Sequence, residues 1–131
     1  MSTLFTKIIQ WDIPSYKLYE DDKVYVCLDI NQFHRGNTLI IPKLEVDHLF
    51  DLPDDYYQAM FHIAKLIAPV LKHLYNPERI GLVVEWFEIP HAHIKLFPIN
   101  NSGDIGNEHI ERLNTEDMMD IQQKIISNLS I

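Results

Sequence analysis

The spacing of apolar residues predicts three helices in this chain. Apolar residues three and four positions apart over residues 3–10 predict a short helix that ends before Pro14. A longer helix is expected to begin near Pro53, with acidic residues in its first turn, and Pro69 is expected to bend it. A third helix is expected from Thr115 to Asn128. Both longer segments carry an apolar stripe and should pack against a larger apolar surface.

Five short runs rich in β-branched and aromatic residues predict strands. The pair Asp21-Asp22 favours a turn, so the first two runs form a predicted hairpin, and the run that ends at Pro42 is expected to be central. The predicted strands are Tyr16–Glu20, Lys23–Asp29, Thr38–Ile41, Ile80–Glu85 and His91–Phe97. These elements predict an α+β fold, a mostly antiparallel five-stranded sheet with helices packed on one side and a C-terminal helix as an extension.

Composition narrows the classes of partner. The 131 residues are 47% hydrophobic and 23% charged, which predicts a single domain over 1–131, with a core at 1–99 and a tail at 100–131. Eleven basic against nineteen acidic residues give a net charge of −8, which disfavours bulk nucleic acid as a partner. No apolar run approaches the roughly 18 residues that span a bilayer, so no membrane partner is expected. A single cysteine, Cys27, and the lack of a signal-peptide pattern predict a cytoplasmic protein.

The last predicted strand carries the clearest chemical pattern. Because strand side chains alternate, His91, His93 and Lys95 should share one face. Adjacent members of this row lie about 6.6 Å apart along the strand, close enough to bind different oxygens of one phosphate group. A neutral imidazole has one nitrogen lone pair and can attack phosphorus. This segment alone leaves two other interpretations open. One is a solvated strand face, and the other is a metal site in which both histidines combine with Glu85 or Glu88.

An ordered series of motifs runs from Phe5 to Pro98. The motifs are Phe5–Ile9, Ile13–Lys17, Tyr19–Val24, Leu28–Asn31, Gly36–Lys43, Leu49–Pro53 and the histidine-rich strand. In this order they resemble the histidine triad family of nucleotide hydrolases and transferases. The resemblance implies the family's α+β fold and a homodimer whose sheets join edge to edge. The C-terminal helix of this chain is expected to cover the dimer surface. It also implies cleavage at the α-phosphate of a purine nucleotide or nucleotide conjugate through a nucleotidyl-histidine intermediate, with no metal or cofactor.

The resemblance also implies roles for individual residues. In the family motif His-φ-His-φ-His-φ-φ, with φ apolar, the middle histidine is the nucleophile and falls on His93. The first histidine orients the nucleophile, can help the leaving group, and falls on His91. Asp29 matches the acidic residue that binds the ribose hydroxyls. The positions that match the apolar residues around a purine base are Phe5, Ile8, Ile13 and Ile30. From sequence alone these four also fit a plain hydrophobic core, and Asp29 also fits a turn.

Three residues expected near the phosphate depart from the family pattern. Lys95 replaces the third histidine, and our hypothesis is that its ammonium pairs with a phosphate oxygen and lowers the pKa of His93. The alternative is an exposed lysine that points away. Asn37 replaces a histidine, and Glu85 stands where phosphoramidase members carry an asparagine that contacts phosphate. The segment Glu88–His91 resembles a branch of the family with a shorter loop at this point.

These departures leave a second interpretation, a nucleotide-binding protein of the same fold whose catalysis has weakened. Retention of both His91 and His93 favours the enzyme. Thr3 and Thr6 stand where zinc-binding members of the family carry a Cys-x-x-Cys pair, and Glu45 stands where they carry a histidine. The resemblance therefore implies that this chain holds no structural zinc.

Overall fold

The computed structural model describes residues 3–32, 34–84, 89–105 and 112–130. Within these ranges the chain forms three α-helices and five β-strands. The elements are α1 (Leu4–Ile9), β1 (Lys17–Glu20), β2 (Val24–Leu28), β3 (Thr38–Pro42), α2 (Asp54–Tyr75), β4 (Arg79–Val83), β5 (Ile94–Ile99) and α3 (Thr115–Asn128). The predicted α+β fold is confirmed, and the third helix begins and ends at the predicted residues.

The five strands form one sheet in the order β1-β2-β3-β5-β4, and neighbouring strands of this sheet are antiparallel. The predicted hairpin is formed by β1 and β2, and the predicted central strand β3 lies in the middle. After β3 the chain forms α2 and returns to the sheet as the edge strand β4. The last strand, β5, then pairs with both β3 and β4. The two edges of the sheet are therefore β1 and β4.

The larger core lies between one face of the sheet and the helices α2 and α3. Side chains from this face interlock with Met60, Ile67 and Leu71 of α2, all of which are fully buried. The sheet residues that contribute are Leu18, Val24, Val26, Leu28, Ile40, Ile94 and Leu96. Met118, Ile121 and Ile125 of α3 belong to the same core. Since burial of each such side chain stabilises the fold by about 1.5–3 kcal/mol, this core accounts for most of the hydrophobic driving force.

The first helix packs on the opposite face of the sheet, so the prediction that the helices lie on one side is wrong for α1. Phe5 of α1 is buried there in a second, smaller core. The strand residues of this core are Tyr25, Cys27, Leu39 and Ile41, which alternate with those of the larger core. Burial raises the pKa of the Cys27 thiol to about 12. Alternate residues of β2 and β3 are apolar on both faces of the sheet. The face opposite α2 and α3 is shielded from water by α1.

The strand predicted over His91–Phe97 begins only at Ile94. The backbone N–H of His91 donates to the Ile89 carbonyl and that of Ala92 donates to the Val46 carbonyl, over 2.8 and 2.7 Å. These bonds replace the strand ladder, because β3 pairs with β5 only as far as Ile94. The strand predicted to end at Glu85 ends at Val83, and Glu85 and Glu88 lie outside the described residues.

The long helix α2 runs through Pro69 without ending there. Asp54 and Asp55 lie in its first turn, where acidic side chains interact favourably with the helix dipole. It ends at Tyr75, and the next residue, Asn76, adopts the left-handed conformation common after a helix, with φ of 46°. None of the helices in the described ranges combines the length and the apolar character needed to cross a membrane.

Candidate active site

The two histidines of the predicted motif lie just before β5 and are both buried. His91 is 1% and His93 is 2% exposed. The Phe5 ring meets the His93 ring edge-on, with ring centroids 4.5 Å apart, and lies 5.8 Å from the His91 ring. Ala92, between the histidines, packs in the larger core on the other face. The alternation expected of a strand therefore holds at these residues, although the ladder begins later.

His93 has a defined hydrogen-bond direction. Its Nδ1 lies 2.8 Å from the His91 carbonyl oxygen, which can only accept, so Nδ1 carries the hydrogen. The lone pair of the neutral ring is then on Nε2. Burial lowers the pKa of His93 to about 3, the Lys95 charge acts in the same direction, and the hydrogen bond to His91 partly opposes both. The His93 imidazole is therefore neutral near pH 7, the form that can act as a nucleophile.

Both ring nitrogens of His91 make hydrogen bonds within the protein. Nε2 lies 2.9 Å from the Pro42 carbonyl and Nδ1 lies 2.8 Å from the Thr3 hydroxyl. Burial lowers the pKa of His91, while the Pro42 carbonyl and the Glu45 carboxylate oppose that shift. These contacts suit the orienting role suggested for this histidine, since its own carbonyl holds His93. Because both ring nitrogens make these contacts, the described residues show no contact through which the His91 ring would give a proton to a leaving group.

Lys95 forms a shielded ion pair with Asp29. The Lys95 Nζ lies 3.1 Å from Asp29 Oδ2, and the two side chains are only 12% and 11% exposed. The other carboxylate oxygen of Asp29 accepts the Asn31 backbone N–H over 3.0 Å. The alternative of an exposed lysine that points away is therefore wrong. The contact between Lys95 and a phosphate oxygen stays a prediction.

The four apolar residues assigned to the purine base differ in burial. Phe5 is 3% exposed and belongs to the smaller core, against which Ile8 packs half-buried. Ile13 is half-buried as well. Ile30, directly after Asp29, is 60% exposed. Ile30 is therefore not a core residue, because an isoleucine of the hydrophobic core is buried. An apolar side chain is thus available to a ligand beside the Asp29 carboxylate.

The loop that carries Asp29 is closed by Gln32, a residue that sequence reasoning missed. The buried Gln32 amide donates to the carbonyls of Asp29 and Asn37, and its oxygen accepts the Gly36 N–H. Asn37 is fully buried, its side chain donates to the Asn31 carbonyl, and its own carbonyl accepts the Asp29 N–H. The structure thus places the Asn37 backbone in direct contact with the Asp29 backbone. No local sequence signal marks Gln32, because its partners are set by the shape of the loop.

The residues at the zinc-ligand positions of the family do not fit zinc. Thr3 and Thr6 present hydroxyl groups where thiolates would bind the metal, and these hydroxyls are hydrogen-bonded to His91 and to Glu45. The part of the chain that the structure describes holds no group of three or more histidine, cysteine, aspartate or glutamate side chains that could bind a metal. The glutamates of the alternative metal site, Glu85 and Glu88, lie outside that part.

The antiparallel sheet and its two buried histidines define a small α+β protein with a histidine site on one face of the sheet. The HIT domain family model matches residues 10–101. The chain therefore belongs to the HIT domain family, and the resemblance found in its motifs is confirmed.

Relatives of known sequence and structure extend this assignment. The chain is 30% identical to Protein hit of Bacillus subtilis (strain 168), over 97% of this chain and 94% of that protein. It is 38% identical to Adenosine 5'-monophosphoramidase HNT1 of Saccharomyces cerevisiae, over 72% of this chain and 61% of that protein. The crystal structure of a Hit-like protein involved in cell-cycle regulation from Bartonella henselae superimposes with a TM-score of 0.82 at 27% identity, covering 98% of this chain and 97% of that one.

Proposed function

We propose that this chain is a nucleotide hydrolase or nucleotidyl transferase that cleaves at the α-phosphate of a purine nucleotide or nucleotide conjugate. The hydrogen bond from His93 Nδ1 to the His91 carbonyl carries the proposal, because it directs the lone pair of a buried, neutral imidazole to Nε2. The similarity to an adenosine 5'-monophosphoramidase supports the substrate class.

The reaction has two steps, and each of them transfers the nucleotidyl group. In the first, His93 Nε2 attacks the α-phosphorus and a P–N bond forms, while the leaving group departs with its electron pair and takes a proton from solvent. In the second, water attacks the same phosphorus, its proton passes to solvent, and the P–N bond breaks. The nucleoside monophosphate leaves and His93 regains its lone pair. Neither step changes an oxidation state, and neither assigns a role to a metal or cofactor.

The remaining site residues bind the nucleotide in this proposal. The Asp29 carboxylate accepts hydrogen bonds from the ribose hydroxyls, and the ion pair with Lys95 holds that carboxylate in place. The purine base lies among the apolar side chains Phe5, Ile8, Ile13 and Ile30. Asn37 supports the loop of Asp29 through its backbone carbonyl, and its sequence-based assignment to the nucleotide stays a prediction. Glu85 keeps its sequence-based assignment near the phosphate as a prediction.

Turnover by a histidine variant tests the proposal. We expect the purified protein to hydrolyse an adenosine phosphoramidate or a dinucleoside polyphosphate, and His93→Ala to lose at least about a thousandfold in kcat. His73→Ala is the matched control, because His73 is exposed on α2. Mass spectrometry of acid-sensitive, base-stable adducts after rapid quenching should detect a nucleotidyl group on the native protein only. Equal background rates for native protein and His93→Ala would refute an enzymatic role for His93.

The burial of the site favours one alternative, a binding protein with weakened catalysis. His93 is 2% exposed beneath the Phe5 ring, so a phosphate has little access to it in this structure. If turnover is at background, calorimetry with AMP decides the alternative. Binding that is lost in Asp29→Ala would support it, and the absence of binding would refute it.

We propose further that the chain forms a homodimer in the cytoplasm. The β4 edge supports the dimer, because Leu82 is 42% exposed on this edge strand. At the opposite edge, Gln122 of α3 donates to the Lys17 carbonyl of β1 over 2.9 Å, which occupies part of that edge. The buried Cys27 thiol is consistent with a reducing compartment.

A further inference from the structure

A hydrogen-bonded network joins the start of α1 and the segment after β3 to His91. The Thr3 hydroxyl lies 2.8 Å from His91 Nδ1, and the Thr6 hydroxyl donates to Glu45 Oε1 over 2.7 Å. The Thr3 backbone N–H donates to the same carboxylate oxygen, also over 2.7 Å. These contacts connect residues that are 39 to 88 positions apart in the chain. The network therefore exists only in the folded protein.

The neighbours of each group fix the direction of these hydrogen bonds. The Pro42 carbonyl can only accept, so Nε2 of His91 carries the hydrogen. In the neutral ring Nδ1 then carries the lone pair and accepts from the Thr3 hydroxyl. The Thr3 oxygen in turn accepts the Thr6 backbone N–H over 3.1 Å. The contact between the two hydroxyls is longer, 3.3 Å, so His91 is the better acceptor for Thr3.

The network reaches His93 through the backbone of His91. The His91 carbonyl is the acceptor for His93 Nδ1, over 2.8 Å. The Ala92 N–H donates to the Val46 carbonyl, one residue after Glu45, over 2.7 Å. The segment that carries both histidines is thus tied to the same stretch of chain that supplies the Glu45 carboxylate. A change in how His91 is held would move the acceptor that orients the His93 lone pair.

We propose that Thr3 and Glu45 are positioning residues that hold the His91 ring in the Nε2–H form that the Pro42 carbonyl selects and, through the His91 carbonyl, aim His93 Nε2. This inference rests on the proposed nucleotidyl transfer through His93. Thr3 acts on His91 directly, and Glu45 acts by fixing the N-terminus of α1 through the Thr3 N–H and the Thr6 hydroxyl.

Thr3 also caps α1, since its hydroxyl accepts the Thr6 N–H, and substitutions can separate the two roles. Serine can cap the helix and donate to Nδ1. Aspartate caps a helix equally well but has no hydrogen to donate to an unprotonated Nδ1. Thr3→Ser should therefore preserve both roles, and Thr3→Asp should preserve only the cap. A purely structural role for Thr3 predicts the same behaviour for both variants.

Nitrogen NMR of the histidine rings tests the tautomer without any substrate. The native protein and Thr3→Ser should show His91 with Nε2 protonated and Nδ1 unprotonated from about pH 6 to pH 8. In Thr3→Asp the carboxylate should draw a proton onto Nδ1, so that His91 shows both nitrogens protonated at the lower end of this range. A protonated Nδ1 in the native protein at pH 7 would overturn the proposal.

Kinetics test the consequence for His93. Thr3→Asp should lower kcat by about tenfold and leave KM within about twofold, because Thr3 touches no substrate in the proposed complex. Glu45→Ala should have a similar effect, whereas Glu45→Gln retains an acceptor oxygen and should stay within about threefold of native. Glu116→Ala, on the exposed first turn of α3, is the control for loss of a carboxylate.

The outcomes separate this inference from the proposed function. Equal behaviour of Thr3→Ser and Thr3→Asp in both measurements would overturn the inference, whatever the activity of the native protein. A loss in Glu45→Gln as large as in Glu45→Ala would also overturn it, because charge rather than geometry would then matter. If the native protein has no turnover, the proposed function fails, and the NMR comparison still decides whether Thr3 donates a hydrogen bond to an unprotonated His91 Nδ1.

Discussion

At the scale of single residues, burial rather than sequence neighbourhood sets the chemistry of the site. The His-x-His spacing predicted two imidazoles on one face, and the structure puts both beside Phe5. The sequence could not predict that His93 is almost fully buried, and this burial is the main cause of its low pKa. It also could not predict that Lys95 pairs with Asp29, because that contact depends on how β2 and β5 lie relative to each other.

The low pKa of His93 predicts that acid destabilises the protein. The pKa is about 3 in the folded state and about 6.5 in the unfolded state, so the unfolded state binds more protons between these values. The free energy of unfolding should therefore decrease as the pH falls below about 6.5, by about 1.4 kcal/mol per pH unit from His93 alone. Urea unfolding at pH about 7.5 and about 5.5 measures the effect. His91, whose pKa is also lowered by burial, contributes in the same direction.

The matched variants for this prediction are His93→Asn and His73→Asn. The first removes the titrating group, so its stability should depend less steeply on pH. The second replaces an exposed histidine and should keep the native dependence. An unchanged pH dependence in His93→Asn would contradict a depressed pKa at His93.

The ion pair of Lys95 with Asp29 predicts a sugar-dependent change in affinity. Lys95→Met removes the charge that holds the Asp29 carboxylate, and we expect about a tenfold weaker binding of AMP. The loss should shrink for a 2′,3′-dideoxy nucleotide, which offers no hydroxyl to Asp29. Calorimetry with both ligands measures this, and Lys95→Arg serves as the charge-conserving control. An equal loss for both sugars would show that Lys95 does not act through Asp29.

At the scale of elements, the helices show what periodicity can and cannot predict. Apolar spacing located α3 from Thr115 to Asn128, as observed. The same reasoning found α1 but placed it on the wrong face, because periodicity identifies an apolar stripe and not its partner. The last strand was predicted to begin at His91 but begins at Ile94, since Pro42 and Val46 supply hydrogen-bond acceptors to His91 and Ala92 that no local pattern reveals.

Two adjacent isoleucines test whether α3 is part of the core. Ile125 is fully buried and Ile126 is 39% exposed on the same helix. Ile125→Ala should lower the free energy of unfolding by about 2–4 kcal/mol through loss of buried surface and the resulting cavity. Ile126→Ala should change it by less than about 1 kcal/mol. Chemical denaturation measures both, and similar small effects would mean that α3 is not needed by the core.

At the scale of the whole molecule, the sheet leaves two edges with different environments. The β1 edge is partly covered by α3 through Gln122, whereas β4 exposes Leu82. An edge strand with an exposed leucine is a surface on which a second sheet can pair. The net charge of −8 opposes non-specific association, because like-charged molecules repel one another.

Light scattering coupled to gel filtration tests the proposed dimer. The native protein should have twice the 15.4 kDa mass of one chain, and Leu82→Lys should lower the observed mass toward one chain. Ile126→Lys is the matched control, since Ile126 is similarly exposed on α3. Dissociation by Ile126→Lys alone would place the dimer surface at the C-terminal helix and would contradict pairing at β4.

The sequence by itself determined the elements and the family of this protein. Hydrophobic periodicity and capping residues act over a few positions, and the order of the motifs is a property of the chain alone. The tertiary structure decided which residues meet. The Lys95 contact with Asp29, the packing of Phe5 on His93 and the network from Thr3 and Glu45 to His91 each join distant parts of the chain. Their geometry and burial, which set the charge state and direction of His93, arise only when the sheet and α1 pack together.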